Sequence, residues 1–545
     1  MQIIHTVKRR LSGLPAEVGR KALQKVYAVR TSAESTVRVK RGGATGTSLV
    51  NLPIGPRVGF VNPRLQLPQV AADNYLHLET VLKRLDLNFW AIKVAPDLNP
   101  TLNLLGEDFA TVLKALAAED SFDNWYFQQL AEDGTETGPI RFLSAVGNNL
   151  NALEGIRIWR YVTPSTESSF FANGLQGVDV VRWDTGETTS VIASGVWNPK
   201  AVQLPHPQQN PDAFTKALAA ANEAAGHYCE FPVDAVITWV DGDDPAWQQR
   251  KNEALGQEQD LLIKDATDDA RFEPLDELRF CLRSIEQYAP WIRTIYLVTD
   301  RQIPKWLKQY EGSRLKVVDH AELWEDPQQL PVFNSHAIEA NLHRIEGLSE
   351  NFLYFNDDVI LTSPVSADHF FHPSGLGKVF YSRALVDFAE VSEEDNVSTV
   401  ASKNSRQVLT GDGLPAMNRK YYHTPYPLNR TVMQEIAERY PHLHRMTSGA
   451  KFRSMSDVAF AGSFYFNYAL ATGRSVPGRI RYDYIDPADN AALARLRAII
   501  RQRNMHCVVV NDGSQAIDKD ARERLKRQVP KLLTQLLPVP SSFEA

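Results

Sequence analysis

Cysteine is scarce: three residues in 545 (Cys229, Cys281 and Cys507), far apart and odd in number. That count excludes a disulfide framework, no CxxC pair supplies a zinc site, and a reducing cytoplasm is the expected compartment. Long apolar runs are missing too. No stretch approaches the ~20 apolar residues that a membrane-crossing helix needs, and the apolar part of the opening MQIIHTVKRRLSG is too short for a secretory signal. Neither sign of charge dominates, with 59 Lys and Arg against 65 Asp and Glu for a net of −6. That balance excludes a general polyanion binder, so nucleic acid is not an expected partner. What remains is an ordinary globular mix, 43% hydrophobic and 23% charged. At ~150 residues per domain the chain is long enough for two to four domains.

The charge that does cluster lies at residues 1–41, where ten Lys or Arg face Glu17 and Glu34, a local net of +8. Leu11, Leu14, Val18, Leu23 and Val26 recur near a helical period, so the segment reads either as a basic amphipathic helix on an anionic surface or as a solvated tail. RGGATGTS follows as a linker, and residues 1–54 form this N-terminal portion. Residues 55–225 alternate short apolar runs (RVGFVN, NFWAIKV, RIWRYV, VDVVRW) with helical stretches (DNYLHLETVLKRL, EDFATVLKALAAED), a small α/β or α+β domain without a chemical constellation. Pro-rich LPHPQQNPDA marks its boundary.

From residue 231 to 545 the pattern becomes βαβ. VDAVITWV (233–240) is a continuous β-branched run, as a strand buried on both faces requires. DELRFCLRSIEQYA (276–289) is an amphipathic helix, and RTIYLVTD (293–300), LKVVDH (315–320) and NFLYFNDDVIL (351–361) are further strands. The expected fold is α/β, a mostly parallel sheet flanked by helices. Ligands of such sheets bind beyond the carboxyl ends of the strands.

The polar residues at those ends are therefore the candidates. Strand 233–240 runs into Asp241-Gly242-Asp243, whose carboxylates share a face in an extended chain; the glycine allows close backbone approach. The same residues also suit an Asx turn. Asn356, Asp357 and Asp358 lie within an apolar run, where unpartnered carboxylates cost several kcal/mol, so a hard divalent cation or a catalytic role is expected. His336, Glu339 and His343 fall on roughly one helical face, but the spacing departs from HExxH. Asn334, Ser335 and His336 at a helix start instead suit an anion. Arg419, Lys420 and His423 precede a helix, and Arg453 and Asp457 follow in KFRSMSDVAF. Arginine matches phosphate oxygens, and histidine serves as a base or donor near neutral pH. MHCVVVNDGS ends one more strand in Asn511-Asp512.

In order, DAVITWVDGDDPAW, DELRFCLRSIEQYAPWIRTIYLVTDRQIPKWL through LPVFNSHAIEANLHRIEGLSENFLYFNDDVIL, HTPYPLNRTVMQEIAERYP with KFRSMSD, and CVVVNDG with the terminal LPVPSSFE resemble the four regions of the stealth family. These are sugar-1-phosphate transferases of bacterial capsule and exopolysaccharide synthesis, related to the catalytic subunit of the animal N-acetylglucosamine-1-phosphotransferase. The resemblance implies a nucleotide-sugar-binding sheet and attack of an acceptor sugar hydroxyl on the β-phosphorus of a UDP-sugar, with UMP released. It implies Mg²⁺ (or Mn²⁺) on Asp358 and Asp512, with Asp357 as an optional further ligand; phosphate clamps from Arg453, Arg419 and Arg279; and nucleotide contacts from Trp239 and Asp241. It implies His423 as the base, with Asp357 second. Asp300-Arg301-Gln302 departs from the family's Asn-Gly-Gln turn. The alternatives are a conventional metal-dependent glycosyltransferase releasing UDP, with Asp241-Gly242-Asp243 as its motif, and a non-catalytic polysaccharide-binding protein. The basic N-terminus suits a peripheral position at the inner membrane face; oligomeric state is silent in the sequence.

Overall fold

The computed structural model describes residues 28, 31–36, 47–52, 55–94, 98–147, 150–186, 190–224, 228–256, 276–308, 310–486, 489, 491–510 and 519–545, the side chains of 151 and 519–526 excepted. Most of the basic segment, and with it the amphipathic-helix reading, lies outside these residues. So does Asp512. Among the described residues no helix is long and apolar enough to cross a membrane.

The chain divides into two units, Met1–His227 and Tyr228–Ala545. In the first, an eight-stranded sheet and a three-stranded sheet carry the β-rich runs. The helices Leu67–Arg84 and Gly106–Ala118 bury Leu78, Leu82, Phe109, Val112 and Leu116 against Leu102, Phe127, Ile156 and Val180 of the larger sheet. Mostly antiparallel pairing next to two long helices makes this unit α+β. Within it Arg157 holds Asp179 (2.6 Å) and Glu136 (2.8 Å).

The second unit is built on a five-stranded sheet in the spatial order 315–319, 295–299, 233–238, 351–356, 426–429. The first four strands are parallel and the last is an antiparallel edge. Residues 233–237 are all buried because helices cover both faces, which is why the run reads as unbroken hydrophobicity. On one face Val236, Tyr296, Val298, Phe352 and Tyr354 pack with Val432, Ile436, Phe464 and Tyr468. The helix Glu277–Tyr288 buries Leu278, Cys281, Leu282 and Ile285. At the amino end of the sheet, fully buried Asp234 takes both Arg293 (2.6 and 2.9 Å) and the backbone N–H of Thr294 and Ser349.

The register fixes the site. Thr238 is level with Val298 on one side and Asn356 on the other. Residues 239–244, 300–302 and 357–358 therefore leave the sheet at one edge.

Candidate active site

The run 351–361 is two strands, not the single one its hydrophobicity suggests. The first ends at Asn356; the second, Val359–Leu361, joins a separate three-stranded sheet by antiparallel pairing with Cys507–Val510. Asp357 and Asp358 form the break. Two adjacent carboxylates cannot be solvated or paired inside a strand covered on both faces, and at its end they can. The backbone of Leu361 donates to Ser284 Oγ (3.0 Å), seating the turn on the 277–288 helix.

Asp358 is 6% exposed and Asp357 is half-buried. His423 Nε2 lies 3.4 Å from Asp358 Oδ1. Desolvation, reinforced by the charge of Asp358, pushes Asp357 up to about 7; backbone N–H groups and His423 offset only part of this. For His423 desolvation works downward, yet Asp358, Glu339 and Asp357 together carry its pKa above the ordinary imidazole value. Burial and the like charge of Asp358 thus make Asp357 costly to ionise, while His423 is held toward its cationic form.

Glu339 closes the cluster from below. Buried at 8% exposure, it accepts from Tyr354 Oη (3.2 Å), which also meets Thr238 Oγ1 (3.0 Å). Burial raises its pKa against the pull of His336, Arg453, Tyr354 and His423. In the sequence Glu339 draws notice only as a zinc ligand, and that set is not assembled. The helix Ser335–Ala340 stops, residues 342–344 tighten to a 3₁₀ turn, and His343 packs edge-on against His444 at 5.9 Å. The signal for Glu339 was its i, i+3 spacing from His336, which puts both on one helical face.

The Asn334–His336 helix start does not stand open to a phosphate. Asn334 is fully buried; its side chain accepts from His336 N (3.1 Å) and donates to Phe452 O (3.2 Å) and Asp457 Oδ2 (2.8 Å). His336 Nδ1 is 3.3 Å from the same carboxylate. The anion at this helix start is Asp457, held below its usual range, despite desolvation, by His336, Asn334 and Ser454. These residues position the 452–457 segment, from which half-buried Arg453 reaches Ser335 Oγ (2.8 Å) beside Glu339.

The Asp241-Gly242-Asp243 loop follows the Asx-turn geometry: Asp243 N donates to Asp241 Oδ1 (3.0 Å). Gln302 grips it through both amide atoms, accepting from Asp241 N and donating to Asp241 O, each at 2.9 Å. The divergent turn therefore has a task of its own: Asp300 pairs with Arg250 (2.8 Å), Arg301 adopts a left-handed φ of 57° while its N–H donates to Asp319 (2.7 Å), and Gln302 anchors the neighbouring loop. Trp239 is half-buried, its N–H on Val298 O (3.1 Å). Val240 packs with Trp247, Phe333 and Phe452, tying this loop to the segment that carries Arg453.

Two expected phosphate clamps are engaged elsewhere. Arg279 pairs with Asp276 (2.9 Å) and Glu544 (3.6 Å) and lies over Trp306 (4.9 Å). It belongs with Arg283, whose bidentate grip on Glu544 (2.6 and 2.7 Å) fastens the chain's last residues to the 277–288 helix. Arg419 stands exposed on the Arg419–Tyr421 strand, paired with Tyr381–Leu385, where its charge acts on Tyr381. Its own strand and a second one, Tyr426–Asn429, precede the helix Arg430–Arg439, so Arg419 is not at the helix start.

The donor chemistry of Asp357 and Asp358, oxygen only, fits a hard divalent ion. Among the described residues no three metal-ligating side chains converge; the sequence's further candidate, Asp512, lies outside them.

A parallel sheet presenting a carboxylate pair, an imidazole and an arginine beyond its strand ends defines an α/β protein with its candidate site at that edge. The comparisons are specific. Conserved regions 1, 2 and 3 of the stealth proteins match residues 231–259, 271–379 and 422–470. An exopolysaccharide phosphotransferase of Streptomyces coelicolor is 41% identical over 506 residues, covering 90% of this chain and 85% of that relative. The exopolysaccharide phosphotransferase CpsY of Mycobacterium tuberculosis is 30% identical, covering 92% of this chain and 94% of CpsY. The chain belongs to the stealth protein family, and the likeness runs into the N-terminal unit. Among solved structures, the galactosyltransferase LgtC in complex with donor and acceptor sugar analogues aligns over 57% of this chain and 98% of its own at 11% identity and a TM-score of 0.29, too distant to carry an argument.

Proposed function

We propose that this chain is an exopolysaccharide phosphotransferase that moves a sugar-1-phosphate from a UDP-sugar to a hydroxyl of an acceptor glycan, releasing UMP. The observation that carries this reading is the His423–Asp358 pair (3.4 Å) beside Asp357 at the strand-end edge; the family's named phosphotransferases support it.

In this reading the acceptor oxygen attacks the β-phosphorus, the bond from that phosphorus to the UMP oxygen breaks, and UMP leaves with the electron pair. His423 takes the acceptor proton, and Asp358, in contact with its Nε2, stabilises the imidazolium that results. Arg453 offers its fork to phosphoryl oxygens as charge builds there. Trp239 and Asp241 face the nucleotide end from the neighbouring loop. Asp357 and Asp358, with Asp512, would hold Mg²⁺ or Mn²⁺, which when bound neutralises charge on the transferring phosphoryl group. The +8 segment at 1–41 supports work in the cytoplasm beside an anionic membrane face.

Phosphorus NMR of the purified chain with Mg²⁺, a panel of UDP-sugars and glycan acceptors tests the reading. UMP together with a new phosphodiester resonance is the expected result. UDP would instead mark a conventional glycosyltransferase.

A further inference from the structure

We propose that the acceptor glycan lies along a stripe of three tyrosines, Tyr422, Tyr482 and Tyr484, on the far side of the Asp357–Asp358 turn from the nucleotide loop; this rests on the phosphotransferase reading.

Tyr422 is the residue before His423, and its ring lies 4.9 Å from that of Tyr482 at 37°. Tyr482 and Tyr484 occupy the edge strand Tyr482–Ile485 of the small three-stranded sheet. Being two apart, they share one face of that strand. The alternate residue, Asp483, points the other way and pairs with Arg495 of the helix Ala492–Gln502. One face of the edge strand is thus covered by a helix, while the tyrosine face keeps Tyr422 and Tyr482 half-exposed and Tyr484 at 37% exposure.

Register ties the stripe to the reacting centre. Tyr484 is level with Val509 and, across it, with Val359, the residue that follows Asp358. Tyr482 is near enough to the cluster to feel the charge of Asp358. The loops at 239–244 and 300–302 rise from strands on the side of the 351–356 strand opposite the 426–429 edge strand, which Tyr422 and His423 lead into. A ligand spanning both flanks would present its nucleotide to those loops and its acceptor to the tyrosines, with His423 between. Tyrosine suits pyranose rings: a broad apolar face to stack on, with a hydroxyl at the rim.

The test compares Tyr422→Ala, Tyr482→Ala and Tyr484→Ala with the matching Phe variants. Each Ala variant is expected to raise acceptor KM about tenfold, the loss of roughly one stacked ring, while donor KM holds; each Phe variant recovers most of that loss. A rise in donor KM equal to that in acceptor KM, or unchanged acceptor KM in all three, would overturn the assignment. If the wild-type chain releases no UMP, the function reading fails on its own, and calorimetric titration with four- to eight-residue hexose oligosaccharides decides the stripe. Weaker binding in the Ala variants supports it; equal binding by wild type and Ala variants, or none by either, overturns it.

Discussion

Two loops at the carboxyl ends of neighbouring parallel strands each carry a pair of aspartates, and the structure uses the pairs differently. In the 241–243 loop the carboxylate of Asp241 accepts from Asp243 N, Asp243 itself is exposed, and Gln302 fixes the backbone on both sides. In the 357–358 turn Asp358 is buried, Asp357 is pushed up to about 7, and His423 lies 3.4 Å from Asp358. An aspartate pair in sequence is therefore not a functional unit by itself. What matters is how far burial and like charge raise the cost of ionising the pair, because a bound cation can then lower that cost.

The largest effect that separates the two loops is expected from Asp358→Asn, which should cut transfer about a thousandfold with little change in Tm, since relief of the like-charge pair with Asp357 offsets the lost contact with His423. A fall in Tm matching the loss of activity would make the turn structural and erase the contrast. Next comes the support beneath that turn. Glu544→Ala leaves Arg283 buried without its partner, at a cost of about 3–5 kcal/mol, read as a lower urea midpoint for unfolding of residues 228–545. Retained stability would mean that the tail does not hold the 277–288 helix. Asp241→Asn should be milder, raising donor KM within about tenfold and leaving turnover with saturating donor near that of wild type; an effect as large as that of Asp358→Asn would make the loops equivalent.

The last effect is on stability rather than activity: acid sensitivity beneath the outer loop. His320, 5% exposed, is pushed down to about 4 by burial, which outweighs Asp300 and Asp319. Its folded pKa lies below the unfolded one, so the unfolded chain binds the proton first as pH falls. Stability is complete above ~6.5 and is lost toward pH 4, on the order of 2 kcal/mol at pH 5. His320→Asn should flatten the urea midpoint across that window; an unchanged slope would remove His320 as the cause.

The sheet was legible because strands covered on both faces must be continuously apolar, as 233–238 and 295–299 are. Asp357 and Asp358 stood out for the converse reason, charge within an apolar run, although the run hid the break between its two strands. Partnership was not legible. His423 meets Asp358 across 65 residues and Arg283 meets Glu544 across 261, so Arg279 looked like a phosphate clamp until its acidic neighbours were in view. Asn334 and His336 looked ligand-facing because nothing local reveals that Asp457 is the anion they hold. Glu339 was obscured by a helix that ends one residue later.

The most direct measurement of the central claim is a paired assay of Asp358→Asn: calorimetric binding of the UDP-sugar and single-turnover release of UMP. The account predicts binding within a few-fold of wild type and almost no UMP. UMP release at the wild-type rate would contradict it and move the chemistry away from the buried turn.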